Sequence, residues 1–259
     1  MISKLANISS DAQIGENVRI DSFTTIYENV VIGDNSIIHP NVTIYPGARI
    51  GKSVEIFPGA VICAIPQDLK FEGEDTTVEI GDNTVIRECV TIHKGTSDKW
   101  KTSIGKNCLI MTYVHIAHDC QIGNNVILAS YVGLSGHTII DDYAILEGKV
   151  GTQQFARVGK HAFVAGASLI RKNVPPFVRV AREPLTFVGV NSIGLRRRGY
   201  TDEQTKEIED IYRVLFVNNK SVNKGVEDVK KNLPDSPLKQ EILDFIESSA
   251  DRGIVKRES

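Results

Sequence analysis

The sequence predicts a mainly β fold of short repeated strands, followed by a small α-helical domain. An aliphatic residue recurs at every sixth position as far as residue 170, and a small or β-branched residue often stands two positions before it. After residue 177 the repeat stops and amphipathic segments replace it. We therefore expect a repeat domain at residues 1–185 and a helical domain at residues 186–259.

The six-residue period is almost unbroken. Steps of six from Ile2 reach eleven consecutive isoleucines, the last of them Ile62. A helix does not fit, because its period is about 3.6 residues, whereas residues two apart in a strand share one face. Each repeat is therefore expected to be a short strand followed by a corner. From residue 2 to residue 170, 25 of the 29 positions in this register are Ile, Leu or Val, the exceptions being Asp68, Glu74, Asp98 and Thr152.

The repeat is interrupted at residues 63–79 and 93–103 without loss of register, which predicts two loops between intact coils. Loops of this kind commonly carry function. A glycine often follows the aliphatic position, and we expect it to help turn the corner, because glycine adopts backbone conformations that other residues avoid. These glycines are Gly15, Gly33, Gly51, Gly81, Gly105, Gly123 and Gly159.

Two helices are predicted after the repeat. Thr201 and Gln204 have the spacing of a capping box, which marks the start of a helix. The second helix follows Pro234 and Pro237. We expect both helices to cover the open end of the repeat domain. Their apolar faces consist of Ile208, Ile211, Tyr212, Leu215 and Phe216 in the first, and Leu238, Ile242, Phe245 and Ile246 in the second.

The composition narrows the class of protein. The 259 residues include 30 Lys and Arg, 32 Asp and Glu and 41% hydrophobic residues, which argues against a disordered or collagen-like chain. No apolar run approaches the roughly 20 residues of a membrane span. The N-terminal residues lack the pattern of a signal peptide, so we expect a cytoplasmic protein. The four cysteines have no C-x-x-C pairing and are expected to be reduced thiols.

A basic band lies late in the chain. Residues 157–200 contain nine Lys and Arg residues and one acid, Glu183. Such a band favours an acidic partner, although a solvated surface would have the same composition. No nucleic acid is expected, because no aromatic stacking surface or known motif accompanies the charge.

The six-residue pattern resembles the hexapeptide-repeat family over about the first 180 residues. This resemblance implies a left-handed parallel β-helix of triangular section, with three repeats in each coil. With 18 residues per coil, Asp119 and His137 would stack in neighbouring coils, beside His115 and His118. None of the six histidines occupies an inward position, so we expect none of them to be a buried core residue.

Three interpretations of this histidine cluster remain open from the residues alone. The histidines could be solvated surface residues, or they could bind zinc, as in related hexapeptide-repeat carbonic anhydrases. In the third interpretation, a histidine removes a proton from a sugar hydroxyl and an adjacent aspartate sets its tautomer.

Longer motifs are similar to those of the acyl-carrier-protein:UDP-N-acetylglucosamine O-acyltransferases. They are Gln67-Asp68-Leu69-Lys70, Val78-Glu79-Ile80-Gly81-Asp82, Thr91-Ile92-His93-Lys94-Gly95-Thr96, Ile116-Ala117-His118-Asp119-Cys120, Gly189-Val190-Asn191 and Gly194-Leu195-Arg196-Arg197-Arg198-Gly199-Tyr200. The resemblance implies transfer of an (R)-3-hydroxyacyl group from acyl carrier protein to the sugar 3-hydroxyl, the first step of lipid A biosynthesis. It also implies a homotrimer with sites between subunits. The donor is carried on phosphopantetheine, and neither a metal nor another cofactor is expected.

The same resemblance assigns roles to individual residues. His118 would be the general base, Asp119 would orient it, and the Gly136 N–H would stabilise the oxyanion. Gly166 would line the acyl groove, where a small residue implies a long hydroxyacyl chain. The substrate-binding residues would be Asp68, Lys70, His115, His137 and Gln154 at the sugar and diphosphate, Asn191 and Arg198 at the nucleotide, and Arg197 at the pantetheine or carrier.

Two residues depart from the family pattern. Gln153 stands where many relatives have His, and Ile193 stands where many have Glu near the ribose. Both departures concern nucleotide recognition. The competing hypotheses are a related transferase that uses an acyl-CoA donor or a sugar-amine acceptor, a zinc carbonic anhydrase, and a β-helical scaffold without activity.

Overall fold

The computed structural model describes residues 1–219 and 221–257. The repeat forms three parallel sheets, which are the three faces of a left-handed β-helix, as predicted. Each strand pairs with the strand one coil further along, so that His115–Ile116 pairs with Gly133–Leu134. This pairing places residues 18 positions apart side by side in the uninterrupted coils.

The strands are short, and most have two residues. Sheet 1 contains Asn7–Ile8, Thr25–Ile26, Thr43–Ile44, Val61–Ala64, Thr91–His93, His115–Ile116, Gly133–Leu134, Gly151–Thr152 and Leu169–Ile170. Sheet 2 contains Gln13–Ile14, Val31–Ile32, Ala48–Ile50, Thr77–Ile80, Lys101–Ile104, Gln121–Ile122, Ile139–Ile140 and Arg157–Val158. Sheet 3 contains Arg19–Ile20, Ile37–Ile38, Glu55–Ile56, Val85–Ile86, Leu109–Ile110, Ile127–Leu128, Ile145–Leu146, Phe163–Val164, Val178–Ala181 and Thr186–Val190.

The interior is a set of stacked aliphatic side chains. Ile44, Ile62 and Ile92 follow one another in sheet 1, and each is completely buried. The second inward register is buried as well, as Val42, Val90 and Val114 show. Burial of an aliphatic side chain contributes about 1.5–3 kcal/mol, so the repeat itself supplies the core.

The corners are made by a residue three positions after the aliphatic one. It adopts a left-handed conformation, with φ of 56° at Asn17, 60° at Asp119 and 60° at His137. The expectation that Gly33 and its counterparts turn the corner is wrong. A Cβ added to Gly33 would lie 2.6 Å from the Gly51 carbonyl, so this glycine is needed for close approach of neighbouring coils.

The two interruptions are loops at residues 65–76 and 94–100. They are shorter than the expected ranges of 63–79 and 93–103, because the strands on either side of them extend towards the loops. Both loops leave and rejoin the coil without disturbing the stacking of the strands around them.

The helical domain contains α1 (Ser192–Arg197), α2 (Asp202–Phe216), α3 (Val222–Asn232) and α4 (Pro237–Ser248). The capping box at Thr201 is confirmed by both of its hydrogen bonds. The helices α1 and α3 were not predicted, because α1 is short and α3 carries few apolar residues. Before α1, Thr186–Val190 pairs antiparallel with Val178–Ala181, the last parallel strand of sheet 3. Among the described residues, no helix has the length and apolarity to span a membrane.

The helical domain packs on the end of the β-helix. Tyr212 of α2 is 1% exposed and donates a hydrogen bond of 2.6 Å to the Pro176 carbonyl. The Arg157 guanidinium lies 4.8 Å from the Phe245 ring of α4. His161 stacks on Tyr143 and contacts the edge of Tyr200.

Three histidines are buried, contrary to prediction: His93, His118 and His161. Loops, corners and the helical domain cover them from outside the β-helix, so the inward registers did not reveal their burial. For His161, burial and the nearby charges of Arg198 and Lys160 lower the pKa to about 3. The folded protein therefore keeps this ring neutral at pH values where the unfolded chain binds a proton.

We expect the free energy of unfolding to fall as the pH drops below about 6.5, where the unfolded histidine becomes charged. His161→Phe should reduce the decline between pH 7.5 and pH 5 by on the order of 1–2 kcal/mol. Phe177 has the same left-handed backbone at the same corner, so phenylalanine is compatible with this conformation. Urea unfolding of both proteins across this range provides the measurement, and identical pH dependence would contradict the assignment.

Candidate active site

The predicted histidine cluster lies at the corner that follows sheet 1. His118 and Asp119 come directly after the strand His115–Ile116, with one residue between. Gly136 and His137 occupy the equivalent positions after Gly133–Leu134 in the next coil. Adjacent strands are about 4.8 Å apart, so the repeat itself brings the four residues together.

A hydrogen-bonded pair forms the centre of the cluster. His118 Nδ1 and Asp119 Oδ2 are 2.8 Å apart, and both residues are buried. Thr96 donates to Asp119 twice, from its backbone N at 2.9 Å and its hydroxyl at 2.7 Å, and Lys99 N donates at 3.3 Å. Burial favours the neutral acid, but the bonds from His118 and Thr96 outweigh it and lower the pKa of Asp119. A charged Asp119 holds the proton on Nδ1 of His118 and leaves Nε2 as the acceptor.

The Nε2 side of His118 lies against Gly136. A Cβ added to Gly136 would be 2.6 Å from both Cε1 and Nε2 of the His118 ring. Among the described residues, no acceptor takes the Gly136 N–H. Asp68 Oδ2 is 4.0 Å from Nε2. The corner thus places a free basic nitrogen beside a free backbone donor.

The other histidines surround this centre. His137 Nδ1 lies 3.1 Å from Asp98 Oδ2, and its ring stacks on Phe155 with centroids 4.3 Å apart. His115 Nδ1 is 2.7 Å from the Thr91 hydroxyl. Burial lowers the pKa of His115. Burial, together with His115 and His118, lowers the pKa of His93 to about 4. These two rings are therefore neutral near pH 7 and can accept or donate single hydrogen bonds.

The remaining predicted residues near this corner come from a loop and from the next coil. Asp68 and Lys70 belong to the loop at residues 65–76, where Lys70 N donates to Asp68 Oδ1 at 3.0 Å. Gln154 lies one coil beyond Gly136. Its carbonyl accepts a hydrogen bond from Arg252.

Four predicted site residues lie elsewhere in the chain. Asn191 and Arg198 are at the corner that follows sheet 2, where Asn191 Nδ2 donates to the His161 carbonyl and Arg198 lies over Tyr143. Burial lowers the pKa of Arg198, and its Nη1 has no partner among the described residues. Arg197 is exposed on α1, and Gly166 lies at the corner that follows sheet 3. A single chain therefore does not bring all predicted residues to one site.

The cluster can also be considered as a metal centre. His118, Asp119 and His137 each offer a ligand atom, and these atoms lie within 4.8 Å of one another. Zinc would require ligand atoms about 2.0–2.2 Å from the ion. Both oxygens of Asp119 already accept hydrogen bonds from Thr96 and His118, so coordination would break the pair. The arrangement fits an oriented base better than a set of metal ligands.

Sequence reasoning missed Thr96, Asp98 and Lys99, which contact Asp119 and His137 from the loop at residues 94–100. The one available signal was the interruption of the repeat at this point. Residues in such a loop have no register, so their spacing does not indicate which side chains they approach.

We expect Gly136→Ala to abolish activity, because the new methyl group would displace the His118 ring. A misplacement of about 1 Å can cost about 10²-fold in rate. Gly133→Ala is the matched control in the same coil, since a Cβ added there meets no atom within 4 Å. Catalytic rates and melting temperatures of both variants test this, and a fully active Gly136→Ala would contradict the geometry.

Comparison with known proteins identifies the family. Residues 173–255 match the family described as Udp N-acetylglucosamine O-acyltransferase, Domain 2. Residues 11–46 and 101–136 match the bacterial transferase hexapeptide repeat.

The similarity extends over the whole chain. The acyl-[acyl-carrier-protein]–UDP-N-acetylglucosamine O-acyltransferase of Sulfurihydrogenibium sp. (strain YO3AOP1) is 50% identical, over 100% of this chain and 95% of that protein. The protein of the same name from Chlorobaculum tepidum is 52% identical, over 95% of this chain and 94% of its own length. A solved UDP-N-acetylglucosamine acyltransferase from Bacteroides fragilis 9343 has a TM-score of 0.97 at 47% identity, covering 99% of this chain and 100% of the other. The chain belongs to the acyl-[acyl-carrier-protein]–UDP-N-acetylglucosamine O-acyltransferase family.

Proposed function

We propose that this chain transfers an (R)-3-hydroxyacyl group from acyl carrier protein to the 3-hydroxyl of UDP-N-acetylglucosamine, the first step of lipid A biosynthesis. The observation that carries the proposal is the buried His118–Asp119 pair, whose free Nε2 lies against Gly136. Membership in a family named for this acyl transfer supports the choice of donor and acceptor.

The geometry suits attack of a hydroxyl on a thioester. His118 Nε2 accepts the proton of the sugar 3-hydroxyl as its oxygen bonds to the thioester carbonyl carbon. Asp119 stabilises the resulting imidazolium, and the Gly136 N–H donates to the oxyanion. When the intermediate collapses, the carbon–sulfur bond breaks, and His118 returns the proton to the pantetheine sulfur. The acyl donor is thus carried on phosphopantetheine, and the proposal requires no other cofactor.

Substrate recognition is assigned by position. Asp68, Lys70, His115, His137 and Gln154 surround the reacting corner, and we assign them to the sugar and diphosphate. Asn191 and Arg198 would bind the nucleotide, and the exposed Arg197 would contact the pantetheine or carrier. Gly166 would leave room for a long acyl chain. Ile193 is 60% exposed and offers no carboxylate to the ribose, so nucleotide binding would depend more on the other contacts.

The active form is proposed to be a homotrimer, because the site residues of one chain lie at three different corners. Sheet 3 also presents a strip of half-buried apolar side chains that a neighbouring subunit would cover. The strip consists of Val85, Leu109, Ile127, Ile145 and Phe163, which lie in successive strands. Closed threefold symmetry would allow one subunit to supply His118 and its neighbour to supply Arg198. The cytoplasmic location expected from the sequence remains a proposal.

The purified protein should form an acylated nucleotide sugar from UDP-N-acetylglucosamine and (R)-3-hydroxyacyl carrier proteins, as followed by mass spectrometry. Loss of the general base in His118→Ala should slow transfer by about 10²–10⁴-fold. His39→Ala is the control, because His39 lies outside the site and pairs with Glu55.

Parallel reactions separate the competing functions. A preference for acyl-CoA, formation of an amide, or inhibition by a chelator would favour the related transferases or a zinc enzyme. If folded protein produced no ester with any donor, the proposed activity would be wrong.

Sharing of sites between subunits predicts complementation. Co-expressed His118→Ala and Arg198→Ala chains should together recover about a quarter of wild-type activity, because that fraction of sites in randomly mixed trimers would combine two intact halves. Each variant expressed alone should remain defective. Light scattering measures the oligomeric state of the same samples. A monomer, or mixed trimers no more active than the variants alone, would contradict a shared site.

A further inference from the structure

The end of the chain returns to the last coil of the β-helix. We call residues 252–256 the C-terminal strap. Asn173 N donates to the Gly253 carbonyl at 3.1 Å, and Val255 N donates to the Asn173 carbonyl at 2.8 Å. Ile254 and Val255 are buried. The strap therefore closes the β-helix beside the corner that carries the proposed site.

Arg252 of the strap bridges two coils. Its Nη2 donates to the Gln154 carbonyl at 2.5 Å. Its Nη1 lies 3.4 Å from Gln153 Oε1 and 3.3 Å from the Arg171 carbonyl. The planar guanidinium can make these contacts together because its N–H groups point in fixed, divergent directions.

The contact to Gln154 ends a ladder of hydrogen bonds that passes through the site. The His118 carbonyl accepts from His137 N, and the Gly136 carbonyl accepts from Phe155 N, in each case from 19 residues further along. The next bond in this series would join the Gln154 carbonyl to Asn173 N. Asn173 N instead donates to Gly253 of the strap. In the described chain, Arg252 is the donor that takes its place.

This substitution affects the coil that borders the substrate. Gln154 is the proposed sugar and diphosphate contact, and Phe155 supports the His137 ring. Gln153, at the position where many relatives have His, is held by the same guanidinium. An uncapped Gln154 carbonyl would leave this last turn free to move relative to Gly136.

We propose that Arg252 is a positioning residue for the nucleotide-sugar site, acting through the Gln154 carbonyl and the Gln153 side chain. This inference rests on the proposed function, because it takes Gln154 as a substrate contact. The Arg252 guanidinium does not itself need to touch the substrate.

The test compares Arg252→Ala and Arg252→Lys with the wild-type protein. Loss of a hydrogen bond from a charged donor should raise the KM for UDP-N-acetylglucosamine about tenfold in Arg252→Ala. The KM for the acyl carrier protein should change less than about twofold, since that substrate meets other residues. Lysine keeps one charged donor and should recover part of the loss. Arg213→Ala removes an equal charge from α2, where Arg213 pairs with Asp210, and should behave as wild type.

A double-mutant cycle separates positioning from general stability. If Arg252 acts partly through Gln153, the effects of Arg252→Ala and Gln153→Ala on the nucleotide KM should be less than additive. An unchanged nucleotide KM in Arg252→Ala would overturn the inference. A parallel rise in both KM values with a lowered melting temperature would do so as well, because it indicates a purely structural role.

Calorimetric titration with UDP-N-acetylglucosamine keeps this test independent of turnover. Weaker binding to Arg252→Ala than to wild type supports positioning even if no donor yields product. Absence of nucleotide binding by the wild-type protein would refute the proposed function itself, together with the inference drawn from it.

Discussion

Hydrogen bonding between successive coils is the constraint on which the rest of the structure depends. It fixes a spacing of 18 residues between neighbours in the uninterrupted coils, so that distance along the sequence converts directly into distance in space. The stacked aliphatic side chains are a consequence, because only one register can fill the interior of every coil. The same conversion brings His118 next to Gly136, although they come from different coils.

The site arises where the repeat provides its least regular backbone. Asp119 and His137 both occupy left-handed corner positions, which cost non-glycine residues roughly 1–2 kcal/mol. Parallel ladders on both sides hold these corners in place. At Asp119, donors from Thr96, Lys99 and His118 satisfy the carboxylate and keep it charged within a buried setting. The rigid corner and the charged carboxylate together determine the orientation and the tautomer of His118.

The end of the β-helix poses a different physical problem from its middle. A parallel ladder leaves unpaired carbonyl groups at its last coil, and the site lies only two coils away. The helical domain covers the interior through residues such as Tyr212, whereas the strap satisfies part of the exposed edge. The chain thus stabilises the end of the fold and the border of the site with the same C-terminal segment.

The sequence by itself determined the strands, their inward faces and the cluster around His118, because a strict period specifies both the facing and the neighbours of every residue. It also indicated α2, through the capping box at Thr201 and an apolar face of regular spacing. Tertiary structure alone decided that Gly33 is needed for coil contact, that His93 and His161 are buried, and that Thr96 and Asp98 reach the site. Arg252 belongs to the same group. These contacts join loops, termini and helices whose residues follow no period, so only the folded chain brings their atoms together.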